Sequence, residues 1–169
     1  MRKTRQDIIQ DCILGFDADV ELVEIGVDYG DTWHHQRGFV TSYTGVDISL
    51  SRVRASIPMN DPRCHWFEMP SAEFWNMIDK QPLSYLRSEG KTWNVIFVDG
   101  DHNYESAKRD IENGLKHLES RGYLLVHDAT SDQVFRAYQE TCLSHSGLDC
   151  TYLGPDIHRC GMAVCRRKT

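Results

Sequence analysis

The stretch from Trp93 to Asp128 constrains the fold of this chain more than any other. "WNVIFVD" and "YLLVHD" are short, unbroken apolar runs, the pattern of strands covered on both faces. Between them Tyr104, Ala107, Ile111, Leu115 and Leu118 recur at helical spacing, which predicts an amphipathic helix closed by Gly122. Strand, helix and strand in that order form a right-handed crossover between two parallel strands. A chain built around this unit is α/β with a largely parallel sheet.

The remaining sequence extends the pattern. "RQDIIQDCILGF" puts Ile8, Ile9, Cys12, Ile13 and Phe16 on one helical face. "VELVEIG" reads as a strand turning at Gly26, "YTGVD" as a second and "CHWF" as a third. Residues 71–79 read as a helix with Phe74, Trp75 and Ile78 apolar, and a further helix is expected around 132–143. "CTYLG" and "GMAVC" are expected to pair antiparallel at the sheet edge. No repeat, low-complexity tract or linker interrupts these elements, so residues 1–169 are read as one domain. A net charge of −6 argues against broad binding to nucleic acid or to an anionic membrane. No apolar stretch approaches the roughly 20 residues that span a bilayer, and "MRKTRQDIIQDC" lacks the apolar block of a secretory signal. The expected location is cytoplasmic, with the six cysteines reduced. Cys142, His145, Cys150, His158 and Cys160 crowd the C-terminal third, but without a CxxC pair their spacing fits no standard zinc finger. Buried and surface thiols are the expected state.

In sheets of this kind ligands gather at the carboxyl ends of the strands. Four such ends each deliver an acid: Glu24, Asp47, Asp99 (followed by Asp101 and His102), and Asp128 after His127. A single acid there is ordinarily a helix cap; four on one rim point to a site. "EIGVDYGDT" sets Glu24, Gly26, Gly30 and Thr32 about a turn, where glycine lets a ligand approach backbone NH groups. The spacing is neither the dinucleotide G-x-G-x-x-G nor a P-loop. Asp47 stands where a carboxylate accepts both hydroxyls of a ribose. Together these suggest a nucleoside ligand carrying an amino group.

Three segments, "VEIGVDYGDT", "YTGVDIS" and "VIFVDGDHNYESAKRDIENGLKHLESRGYLLVHD", resemble the class I S-adenosylmethionine-dependent methyltransferases. They are most similar to the small-molecule and sugar O-methyltransferase branch with a D-G-D-H-x-Y segment and a terminal H-D. The resemblance covers about residues 8–130. It implies a doubly wound, Rossmann-like, seven-stranded and mostly parallel sheet with an antiparallel last strand, and S-adenosylmethionine as cofactor. It further implies that Glu24, Gly26, Gly30 and Thr32 line the methionine part of that cofactor. Asp47 would bind the ribose, Ile48 would lie against the adenine face, Ser71 would touch the adenine ring, and Asp99 would complete the cofactor site. Relatives often carry an acid before that serine; this chain has Pro70.

The resemblance also implies a divalent cation, magnesium in relatives, held by Asp99 and Asp128. Relatives place Glu before the second acid or Asn after it, where this chain has His127 and Ala129. His127 as a further ligand would move the preference towards manganese, iron or zinc. A metal-assisted and a metal-free site both stay open at this point. His102 stands where sugar-modifying relatives have a general base, and Asp99 is the second expected catalytic residue. Imidazole suits the task because its pKa lies near neutrality; a helix-capping role is the alternative for His102, and Asp101 is expected to cap. The expected reaction is methylation of an oxygen on a sugar or other polyhydroxylated small molecule, with no nucleic-acid or membrane partner. Two rivals are a non-catalytic nucleoside-binding module and a nicotinamide-dependent oxidoreductase, the latter disfavoured by the glycine spacing. The short crossover from Gly30 to Tyr43 leaves no insertion for a lid. Either a second copy of the chain, in a homo-oligomer, completes the pocket, or the site is open to a larger substrate.

Overall fold

Trp93–Val98 and Leu118–His127 form adjacent parallel strands, with Val95 opposite Tyr123 and Val98 opposite Val126. The computed structural model describes residues 3–17, 19–80, 92–155 and 159–169. In chain order its elements are α1 (Arg5–Ile13), β1 (Glu21–Ile25), α2 (Asp31–Gln36), β2 (Ser42–Asp47), α3 (Ser51–Ser56), β3 (Cys64–Glu68) and α4 (Ser71–Lys80). There follow β4 (Trp93–Val98), α5 (Tyr104–His117), β5 (Leu118–His127), α6 (Asp132–Tyr138) with a π-helical turn at Gln139–Leu143, β6 (Leu148–Leu153) and β7 (Met162–Arg167). One seven-stranded sheet has the order β3-β2-β1-β4-β5-β7-β6, with β7 antiparallel to both of its neighbours. This is the doubly wound, Rossmann-like arrangement with an antiparallel last strand. Among the described residues no helix is long and apolar enough to cross a membrane.

The apolar run of β4 is explained by what covers it. Ile96 and Val98 face a core with Phe74, Trp75, Ile111 and Leu115, from α4 and α5. Val95 and Phe97 face the opposite core, with Ile8, Ile9, Trp33 and Tyr43. Successive side chains point to opposite faces, so a strand buried on both must be apolar throughout. The stripe on α1 docks as its spacing predicts, with Ile8, Ile9, Cys12 and Ile13 buried. Thr4 caps that helix in a reciprocal capping box with Asp7.

Two local expectations are corrected. Gly122 does not close α5, which ends at His117; it lies inside β5, beside the register irregularity between Trp93 and Val95. A Cβ there would sit 2.9 Å from the Asn94 carbonyl oxygen, so close backbone approach is what needs glycine. Asp101 does not cap α5 either. Asn103 is the cap, its side chain accepting from the Ser106 N–H at 2.9 Å, while Asp101 accepts from the Asn103 N–H at 3.2 Å. His102 therefore precedes the helix and is not its cap.

Candidate active site

The carboxyl ends of β1, β2, β4 and β5 bring Gly26, Asp47, Asp99 and Asp128 to one edge of the sheet. Gly26 has φ +86°, and a Cβ on it would lie 2.1 Å from the Asp99 carbonyl oxygen. Glycine alone lets the loops after β1 and β4 touch. Asp47 fastens the same loop from the other side. Its Oδ2 accepts from the N–H groups of Val27 (2.8 Å) and Asp28 (3.1 Å), and its Oδ1 from that of Ser49 (3.0 Å). Between these loops opens a cleft of about 770 Å³, inside the range of about 300–1,000 Å³ usual for small-molecule sites. Gly26, Asp47, Ile48, Met69, Pro70, Ser71 and Asp99 line it, together with Arg109 and Asp110 of α5. Ile48 is 78% exposed, an apolar side chain held in water at the cleft wall.

Of the expected cofactor residues, Gly26, Asp47, Ile48, Ser71 and Asp99 are thus brought together. Glu24, Gly30 and Thr32 are not among the lining residues; they lie beneath the loop. Glu24 is 1% exposed and accepts hydrogen bonds from Thr32 Oγ1 (2.7 Å) and the Tyr43 hydroxyl. Burial pushes its carboxyl up to about 8, against the pull of those two donors. Gly30, at φ +78°, starts α2 with Ile57 packed where a side chain would be. The three residues shape the turn from within and leave the cleft wall to its neighbours.

The structure adds two residues that local sequence patterns did not single out. Asp110 is buried at the cleft, accepting from Ser71 Oγ at 3.0 Å and Trp75 Nε1 at 3.1 Å, and burial raises its pKa. It was visible in principle as an acid three residues after Ala107, on the apolar stripe of α5. Arg5 is the second. Its Nη1 donates to Asp99 Oδ2 at 2.6 Å, across 94 positions of sequence.

From Arg5 a chain of alternating charge runs along the rim. Asp99 Oδ1 lies 2.9 Å from His127 Nδ1, which is also 2.9 Å from Asp128 Oδ2; that oxygen is in turn 3.1 Å from His102 Nε2. Burial alone would depress His127, but hydrogen bonds to Asp128 and Asp99 outweigh it and raise the imidazole to about 9, so it carries a proton at neutral pH. The same bond holds the Asp128 carboxyl below its usual value. Asp128 itself has φ +50°, a left-handed conformation that Asp tolerates better than most residues. His102 is half exposed and keeps Nδ1 turned from Asp128.

Two groups of potential ligand atoms converge among the described residues, Asp99–His102–Asp128 and His127–Asp128–Cys160, each within 4.8 Å. Of the tail residues discounted above as a zinc site, Cys160 is the one found in these groups among the described residues, and His158 lies outside them. The arrangement does not fit a resident divalent ion as it stands. Asp99 has one oxygen on the Arg5 guanidinium and the other on the His127 imidazole, so an ion would have to displace a partner to reach either.

Comparison with known proteins bears on this geometry. The profile of the family described as a methyltransferase domain matches residues 23–129, more than half of the chain. No curated protein matches in sequence. Among solved structures, an O-methyltransferase from Bacillus cereus in complex with SAH is similar with a TM-score of 0.72 at 15% identity, over 96% of this chain and 78% of that one. TomG, an O-methyltransferase from Streptomyces achromogenes in complex with SAM, is similar at 0.66 and 11% identity, over 88% and 73%. CalS10, a SAM-bound amino pentose methyltransferase from Micromonospora echinaspora, is similar at 0.65 and 11% identity, over 96% and 89%. These likenesses show the fold.

Proposed function

The chain belongs to the methyltransferase domain family, and from that premise we propose that it methylates a hydroxyl oxygen of a sugar or other polyhydroxylated small molecule, with S-adenosylmethionine as donor. The observation that carries the reading is one continuous rim: a nucleoside-sized cleft ends at Asp99, and the His102–Asp128 pair begins there. The cleft suits the cofactor chemically. It joins apolar walls at Ile25, Val46 and Met69 to a carboxylate, Asp47, whose Oδ1 accepts from the Ser49 N–H alone and keeps a lone pair for a ribose hydroxyl. When bound, the cofactor supplies an electrophilic methyl group on a sulfonium.

What the chain does is orient, exclude water and take a proton. Asp47 fixes the Gly26 loop and holds the ribose; Ile48 and Met69 cover the base. At the other end an acceptor hydroxyl must lose its proton as its oxygen is alkylated, and His102 is the group placed to take it. With Nε2 donating to Asp128 at 3.1 Å, Nδ1 of His102 keeps a lone pair with which to take that proton. Asp128 fixes the tautomer and stabilises the imidazolium that forms, and His127 fixes Asp128. No step runs through a metal ion, because Asp99 is committed to Arg5 and His127. The sugar-like acceptor draws support from the resemblance of the D-G-D-H-x-Y segment to sugar-modifying relatives. Incubation with S-adenosylmethionine and a panel of sugars, catechols and amines, read by S-adenosylhomocysteine release, tests the reading. Turnover confined to sugars or other polyols supports it; turnover only on amines or catechols overturns the acceptor assignment.

A further inference from the structure

Asp99, where the resemblance implies a cation ligand, is bonded here to a side chain from the far end of the sequence. Arg5 opens α1, and this helix is firmly seated. It carries the Thr4–Asp7 capping box, buries Ile8, Ile9, Cys12 and Ile13, and bonds to α2 through Gln36 Nε2 to the Gln6 carbonyl at 3.0 Å. The guanidinium lies 2.6 Å from Asp99 Oδ2, 4.0 Å from Asp31 Oδ2, and 5.8 Å from the centre of the Phe97 ring. Asp99 is only 11% exposed at its side chain and Arg5 28%, so water screens the pair weakly.

We propose that Arg5 is a positioning residue that takes the place of a divalent ion at Asp99, and that it closes the Asp99–His102–Asp128 cluster to such ions. A guanidinium stays charged at every accessible pH, so the pair does not release Asp99 as pH changes. An ion bound by Asp99 would have to displace Arg5 from Oδ2 and then sit within a few ångströms of its fixed positive charge. With Arg5 in place, Asp99 is held in one orientation and passes that order to His127, Asp128 and His102 through the bonds described above. The inference rests on reading this end of the cleft as the acceptor end.

Manganese binding to the full chain, followed by the paramagnetic resonance of free Mn²⁺, tests it without turnover. Wild type should leave Mn²⁺ free, Arg5→Met should gain one site at least about tenfold tighter, and adding Asp99→Asn should remove that site. Arg5→Lys should behave as wild type, since it restores the charge. Uptake of one equivalent of Mn²⁺ by wild type, lost in Asp99→Asn, would overturn the proposal, as would a folded Arg5→Met that gains no site. Should Arg5→Met fail to fold, Arg5→Gln serves the same purpose, and the wild-type titration decides on its own. Failure of S-adenosylhomocysteine to bind wild type would sink the methyltransferase reading and leave the Mn²⁺ result standing.

Discussion

Replacing Glu24 with glutamine should leave the protein folded and remove a defined part of its alkaline instability. Burial raises this carboxyl from 4.5 to about 8, although Tyr43 and Thr32 both donate to it. The folded protein therefore binds the proton more tightly than the unfolded chain does. The resulting stabilisation is complete below pH 4.5, declines as pH rises, and is gone once pH has passed about 8. At about 1.36 kcal/mol per pH unit the whole effect is on the order of 5 kcal/mol, and roughly half of it falls between about pH 6 and 9. In a domain of this size 1 kcal/mol corresponds to about 2–4 °C, so wild-type Tm should fall by roughly 5–10 °C more than that of Glu24→Gln over this range. Glutamine mimics the neutral acid, donating from its amide to Tyr43 and accepting from Thr32. Thermal unfolding at several pH values reads the effect, and calorimetry at neutral pH should find S-adenosylhomocysteine affinity within roughly threefold of wild type. Parallel Tm profiles would refute the reasoning. A tenfold loss of affinity with an unchanged profile would return Glu24 to the cleft wall.

Gly26→Ala should cost about 2–4 kcal/mol in denaturant unfolding and abolish cofactor binding, because the new methyl meets the Asp99 backbone and φ is positive; a well-folded, binding-competent variant would contradict the loop geometry. His102→Ala should lower turnover about 10²–10⁴-fold and leave S-adenosylhomocysteine affinity intact, since the imidazole serves the acceptor. Equal turnover would remove His102 as the base. Asp128→Asn should also lower turnover with cofactor affinity unchanged, and a rate equal to wild type would detach Asp128 from the orientation of His102.

The sheet was legible because β4, β5 and the stripe of α5 carry unambiguous periods. α2 and α3 were not anticipated as helices: each has six residues, too few to repeat a 3.6-residue pattern, and α3 buries only Val53. At the site, the positions of Asp47 and Asp99 on the cleft were readable, because each follows from the end of its own strand. The burial of Glu24 was not readable, because its surroundings depend on Tyr43 of a neighbouring strand. The commitment of Asp99 was hidden for a similar reason. Its partner Arg5 is set by the docking of α1, and no local spacing links the two.

The most direct test of the account is a crystal structure of the full chain with S-adenosylhomocysteine. The ribose hydroxyls should lie within hydrogen-bonding distance of Asp47, the base between Ile48, Met69 and Ser71, and the sulfur at the Gly26–Asp99 end, towards His102. Ligand found elsewhere, or in the cleft with its sulfur directed away from Asp99 and His102, would contradict it.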